Sequence, residues 1–161
     1  MHVQNRSIAT LLVALVSGLF ILTFAPKAFA ATDDWYSKTS PLIAWEDDAK
    51  QALAYGTAYT KNTYLKNHTF YRDPRAGGDA VYTESSYSYK EPAGQYGEQW
   101  GYPNGEDQSA RDSSGSWVDQ YDADDYSHRR ASQGRVYYKV CEDQNFSGDP
   151  CSRKPYSPFN L

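Results

Sequence analysis

Apolar and polar positions alternate along most of this chain, most clearly near its C-terminal end. In residues 134–151 (GRVYYKVCEDQNFSGDPC), Val136, Tyr138 and Val140 point one way while Tyr137, Lys139 and Cys141 point the other. The pattern predicts a final β-strand. Cys141 and Cys151 then bracket a turn-rich loop, and a disulfide between them is expected to staple the outgoing tail back onto that strand.

Upstream, Leu53, Tyr55, Thr57 and Tyr59 alternate with Ala52, Ala54, Gly56 and Ala58. That predicts a strand with one bulky and one small face, the small face letting another layer approach closely. Strands are also expected over 65–72 and 80–90, joined through DPRAGGD as a hairpin. A further strand over 95–102 would place Tyr96, Glu98, Trp100 and Tyr102 on one face, and another over 116–126 carries Trp117, Asp119 and Tyr121. Residues 41–54 are ambiguous, since Ser40-Pro41 suits a helix start and Leu42, Trp45, Ala49 and Leu53 fall near helical spacing. The expected fold is all-β, a small antiparallel sandwich or barrel of about six strands. It forms one domain over 51–161, after a loose leader with a short helix or irregular segment over 31–50.

The first thirty residues differ from all of this. His2 and Arg6 precede an almost wholly apolar run from Ile8 to Phe24, Pro26 ends it, and Ala28-Phe29-Ala30 has the form of a cleavage site. This reads as a signal helix removed after Ala30, so the expected location is extracellular. The run is near the lower length limit for spanning a membrane, and no membrane association is expected after cleavage.

Composition changes the picture of the core. Beyond residue 30, Leu, Ile and Val number nine, whereas all fifteen tyrosines and all four tryptophans lie there. So few aliphatics would suggest disorder. Each ring, however, can bury ~150–250 Å², so a tyrosine-rich interior is expected instead. Residues 1–30 hold Arg6 and Lys27 and no acid. Of 16 basic residues 14 therefore remain against 20 acidic ones, a net charge of −6. With the charges mixed and no basic block, nucleic acid is not an expected partner.

The pieces YGTAY, RDPRAGGDAVY and VYYKVCEDQNFSGDPCS occur together behind a hydrophobic signal. In this combination the chain resembles small secreted proteins of actinobacteria, across about half of its length after the signal. The resemblance implies a secreted β-domain with one disulfide and carries over no catalytic residue.

Three constellations are candidates for chemistry. Rings flanking a carboxylate in Tyr96, Glu98, Trp100 and Tyr102 suit sugar binding, and the competing reading makes the same rings core. Asp119, Asp122, Asp124 and Asp125 supply carboxylates for half a calcium shell, against a solvated acidic turn. His68 and His128 lack any nucleophile elbow or zinc motif around them, so no enzyme activity is expected. Glu84, Glu91 and Glu98 are the carboxylates a glycan hydrolase would draw on. The expected function is non-enzymatic binding of an extracellular glycan or cell-envelope component through aromatic side chains. The alternatives are a small glycan hydrolase or a protein–protein module such as an inhibitor or toxin.

Overall fold

The computed structural model describes residues 31–104, 106–124, 128–145 and 148–161. The expected signal segment, residues 1–30, lies outside them. Ten strands follow in order: β1 (Thr32–Trp35), β2 (Leu42–Glu46), β3 (Ala49–Lys61), β4 (Tyr64–Arg72), β5 (Val81–Pro92), β6 (Glu98–Trp100), β7 (Asp107–Gln108), β8 (Val118–Ala123), β9 (Gln133–Glu142) and β10 (Tyr156–Asn160). They form two antiparallel five-stranded sheets. The first runs β1-β3-β4-β8, with β2 beside β1 on the same edge of β3; the second runs β10-β9-β5-β6, with β7 on β5. Packed face to face, the sheets make a β-sandwich, as expected, though with more strands than six.

Residues 31–50 are not a loose leader. β1 pairs with the second half of β3 and β2 with its first half. Trp35 is 3% exposed, so the domain begins ahead of residue 51. The helical spacing of Leu42, Trp45, Ala49 and Leu53 is broken by a two-residue turn at Asp47-Asp48, both at positive φ. A second such turn, Asn62-Thr63, joins β3 to β4. Turns of this hand match the twist of the flanking strands.

That second turn overturns the hairpin expected between residues 65–72 and 80–90. β4 pairs with β3 over nine residue pairs and with β8 on its other side, so both its edges are taken. β5 instead crosses to the other sheet and pairs with β9 over ten. The connection after Arg72 is therefore a crossover between sheets. It is tied down where Arg75 reaches Glu142 at 2.5 Å and its backbone N–H donates to Asp73.

The small face of β3 points inward, with Ala52, Ala54 and Ala58 fully buried. Its purpose is visible at Gly56, where the Trp35 ring fills the space a Cβ would occupy. Trp35 also stacks on Tyr138 from the opposite sheet at 4.0 Å. Tyr71, Tyr87, Tyr89 and Phe159 add further rings, with Leu42, Leu65, Val81, Val136 and Val140 between them. The interior is thus ring-rich but mixed. At its centre Asn67 accepts from Trp35 Nε1 (2.9 Å) and donates to Thr69 and Ser85, and Ser85 donates to Asp122. These bonds satisfy groups that would be costly to bury unpaired.

Cys141 and Cys151 form the expected disulfide. β9 is not the last strand, however. The stapled tail returns along its edge, Ser152 N–H donating to Val140 and Tyr138 N–H to Pro155, and continues as β10.

Candidate functional site

The second sheet turns one face to the core and one to solvent. Its register places Trp100, Lys90, Gln133 and Asn160 in one cross-strand row of the outer face, and Ser88, Arg135 and Pro158 in the next. Paired residues share a face, and alternate residues along a strand keep to it. Arg135 sits on β9 between Ser88 of β5 and Pro158 of β10, and its ring neighbours come from β6 (Trp100) and β10 (Tyr156). The guanidinium lies 3.8 Å from the Trp100 ring centroid and 4.7 Å from that of Tyr156. Cation–π contacts of this kind hold a guanidinium against ring faces without using its N–H donors.

Of the aromatic face expected over residues 95–102, two members hold their place. Glu98 and Trp100 both lie on β6 and on the outer face, where Glu98 pairs with Lys90 at 3.4 Å. Tyr96 instead belongs to a 3₁₀ turn (Gly94–Tyr96) and Tyr102 follows the strand. Gly97, at φ 73°, reverses the chain between Tyr96 and Glu98, so four residues in a row cannot share a face. The reading of these rings as core fails: Tyr96 is 72% and Tyr102 96% exposed, and Trp100 is half-buried.

Strand alternation also separates the aspartates. Asp119 points outward to His68 at 3.0 Å, whereas Asp122 points inward to Ser85. Asp124 lies by Asn104 and 3.3 Å from His128 Nε2, and Asp125 falls outside the described residues. No group of three or more potential metal ligands occurs among the described residues. Desolvation by burial raises the Asp122 carboxyl above its ordinary range, against hydrogen bonds from Ser85 and Gln120.

The three glutamates are engaged separately. Buried Glu84 meets Lys139 at 2.5 Å and Gln108 at 2.8 Å. Glu91 lies 2.7 Å from His128 Nδ1, and that imidazole stacks on Tyr89 at 3.7 Å. Lys139 and Lys154 both approach Glu106, and the hydrogen bond from Lys154 leads in holding the Glu106 carboxyl down to about 2.

A second aromatic surface went unforeseen. On the outer face of the first sheet, Tyr55 stacks on Phe70 and meets Trp117 edge-on, each at 4.9 Å. His68 continues the row between Phe70 (4.4 Å) and Tyr121 (3.8 Å), and Tyr121 is 63% exposed. The bulky face of β3 was its sequence signal. The contribution of β4 and β8 needed the pairing. Arg135, too, was not singled out, because its two rings come from strands far away in sequence. No protein-family model, no curated protein and no solved structure matches this chain.

Proposed function

We propose that this protein is exported and acts outside the cell as a non-enzymatic β-sandwich that binds a carbohydrate or cell-envelope polymer through surface aromatic side chains. The observation that carries the reading is the outer face of the second sheet, where Trp100 and Tyr156 flank Arg135 beside the amides of Gln133 and Asn160. Rings provide apolar faces for sugar C–H groups, and amides and guanidinium provide hydrogen bonds for hydroxyls. Exposed Tyr96 and Tyr102 extend the aromatic surface around β6. Export rests on the signal-like residues 1–30, and the disulfide is of the kind that persists in oxidising compartments. The test is retention on immobilised polysaccharides and cell-wall fractions, comparing the parent with Trp100→Ala. Retention lost in a variant with unchanged near-UV circular dichroism is expected. A parent that is retained on no polysaccharide refutes the reading.

The first sheet favours a second reading, a protein–protein module. Tyr55 with Phe70, and His68 with Tyr121, stack on one another, and with Trp117 they make one continuous aromatic row on the outer face of the first sheet. A contiguous aromatic surface of this kind suits a protein partner. Retention of a partner protein that Tyr121→Asp abolishes and Trp100→Ala leaves intact would favour this second reading.

A further inference from the structure

We propose that Arg135 is a carboxylate-binding residue, so that the saccharide taken by the Trp100–Arg135–Tyr156 face is an acidic one. The inference rests on the reading of that face as a saccharide site and names the chemical class of its ligand. Three observations carry it.

The first is what Arg135 lacks. Arg75 meets the carboxylate of Glu142 and Arg111 meets that of Asp143. Arg135 is held by two rings, and no hydrogen-bond acceptor among the described residues lies on its guanidinium. The chain has more acidic than basic residues, so an internal partner would be easy to place. The neighbouring cation, Lys90, is already answered by Glu98.

The second is orientation. The edge of the guanidinium carries its N–H groups, which the cation–π contacts with Trp100 and Tyr156 do not use. That edge presents parallel N–H donors whose spacing matches the two oxygens of a carboxylate. The rings have fixed the rotamer beforehand, so little side-chain entropy remains to be lost on binding.

The third is the surroundings. Arg135 lines a depression of about 290 Å³ together with Trp100, Gln133, Tyr156, Pro158 and Asn160. This is near the small end of ligand sites, so it suits one sugar unit at a time. The amides of Gln133 and Asn160, joined at 3.5 Å, are part of its lining and supply hydrogen bonds for hydroxyls, and the exposed part of Tyr156 supplies apolar surface for the pyranose.

The test measures binding of polygalacturonate and of the same polymer with its carboxyls reduced to alcohols, by calorimetry on the full exported chain. Charge-assisted hydrogen bonds of this kind are worth roughly a 10- to 100-fold change in affinity. The reduced polymer is expected to bind weaker by about that factor, and Arg135→Gln to lose a similar factor on the intact polymer. Arg135→Lys keeps the charge without the planar fork and is expected to fall between. The comparison of the two polymers uses the parent protein, so it stands even if a variant misfolds. Equal affinity for the two polymers, or an unchanged Arg135→Gln, overturns the assignment. So does preference for poly(glycerol phosphate). Binding of neutral polysaccharide that Trp100→Ala alone abolishes leaves the saccharide reading standing and overturns only the carboxylate. Absence of binding to every polymer overturns both.

Discussion

Replacing Gly56 by alanine should destabilise the domain, the reverse of what the residue type suggests. Within a strand, glycine ordinarily gives way to alanine with a gain of roughly 0.5–1 kcal/mol, because the unfolded chain has less freedom to lose. Here the added Cβ would sit 2.2 Å from the carbonyl oxygen of His68 and 2.7 and 2.9 Å from atoms of the Trp35 ring. Carbon–oxygen contacts normally begin near ~3.3 Å, so the overlap with the backbone is about 1 Å. Neither neighbour yields easily. His68 is registered in the centre of the β3–β4 ladder, and Trp35 is held by its stack on Tyr138 and its bond to Asn67. Overpacking costs ~1–3 kcal/mol, and weakening the Trp35–Asn67 bond adds about 1 kcal/mol. Set against the entropic gain, the net loss is ~1–3 kcal/mol. For a domain of this size that lowers Tm by about 4 °C per kcal/mol. Thermal and urea unfolding of the variant beside Gly134→Ala make the measurement. At Gly134 the three atoms nearest the added Cβ are side-chain carbons of Leu65, the closest at 2.8 Å, so a smaller loss is expected. If Gly56→Ala melted at or above the parent temperature, the packing of β1 against β3 would not be as described.

Other expectations follow from the same structure. Thr63 is a β-branched residue at φ 67° in a turn that favours Asn-Gly, so Thr63→Gly, set against the freedom glycine adds to the unfolded chain, should stabilise by up to about 1 kcal/mol in urea unfolding. Cys151→Ser, or reduction, opens a loop with a sequence separation of 10 and should cost roughly 3 kcal/mol in the chain-entropy model, read as a lower urea midpoint. The Glu106 carboxyl is held down to about 2, chiefly by Lys154, from an ordinary value of 4.5. A depressed carboxyl stabilises the fold fully above the ordinary value, and that stability is lost as pH falls through the folded one. Melting temperature should therefore drop between about pH 4.5 and 2, and less steeply in Glu106→Gln; identical acid limbs would show that the Glu106 carboxylate contributes nothing.

Much of the local structure was legible in the residue pattern. β9 and β3 each bury one face, so a period of two shows which residues are inside: Val136, Tyr138 and Val140 in one, the alanines in the other. The bridge between Cys141 and Cys151 was legible because the chain contains no other cysteine. Pairing was another matter. A Pro- and Gly-rich loop after Arg72 is compatible with a hairpin or a crossover, and nothing local separates them. The choice fell to two edges competing for β4, settled by the tight turn at Asn62-Thr63, and to β9 as the strand that accepts β5. β1 and β2 were illegible for the same reason: short polar-flanked segments become strands only because β3 is long enough to take both on one edge. The candidate site is the furthest case. Trp100, Arg135 and Tyr156 carry no motif, and only the strand order β10-β9-β5-β6 brings two rings against one guanidinium. Alternation is a property of neighbours along the chain, whereas which strands lie side by side depends on the free energy of burying surfaces from the whole chain at once.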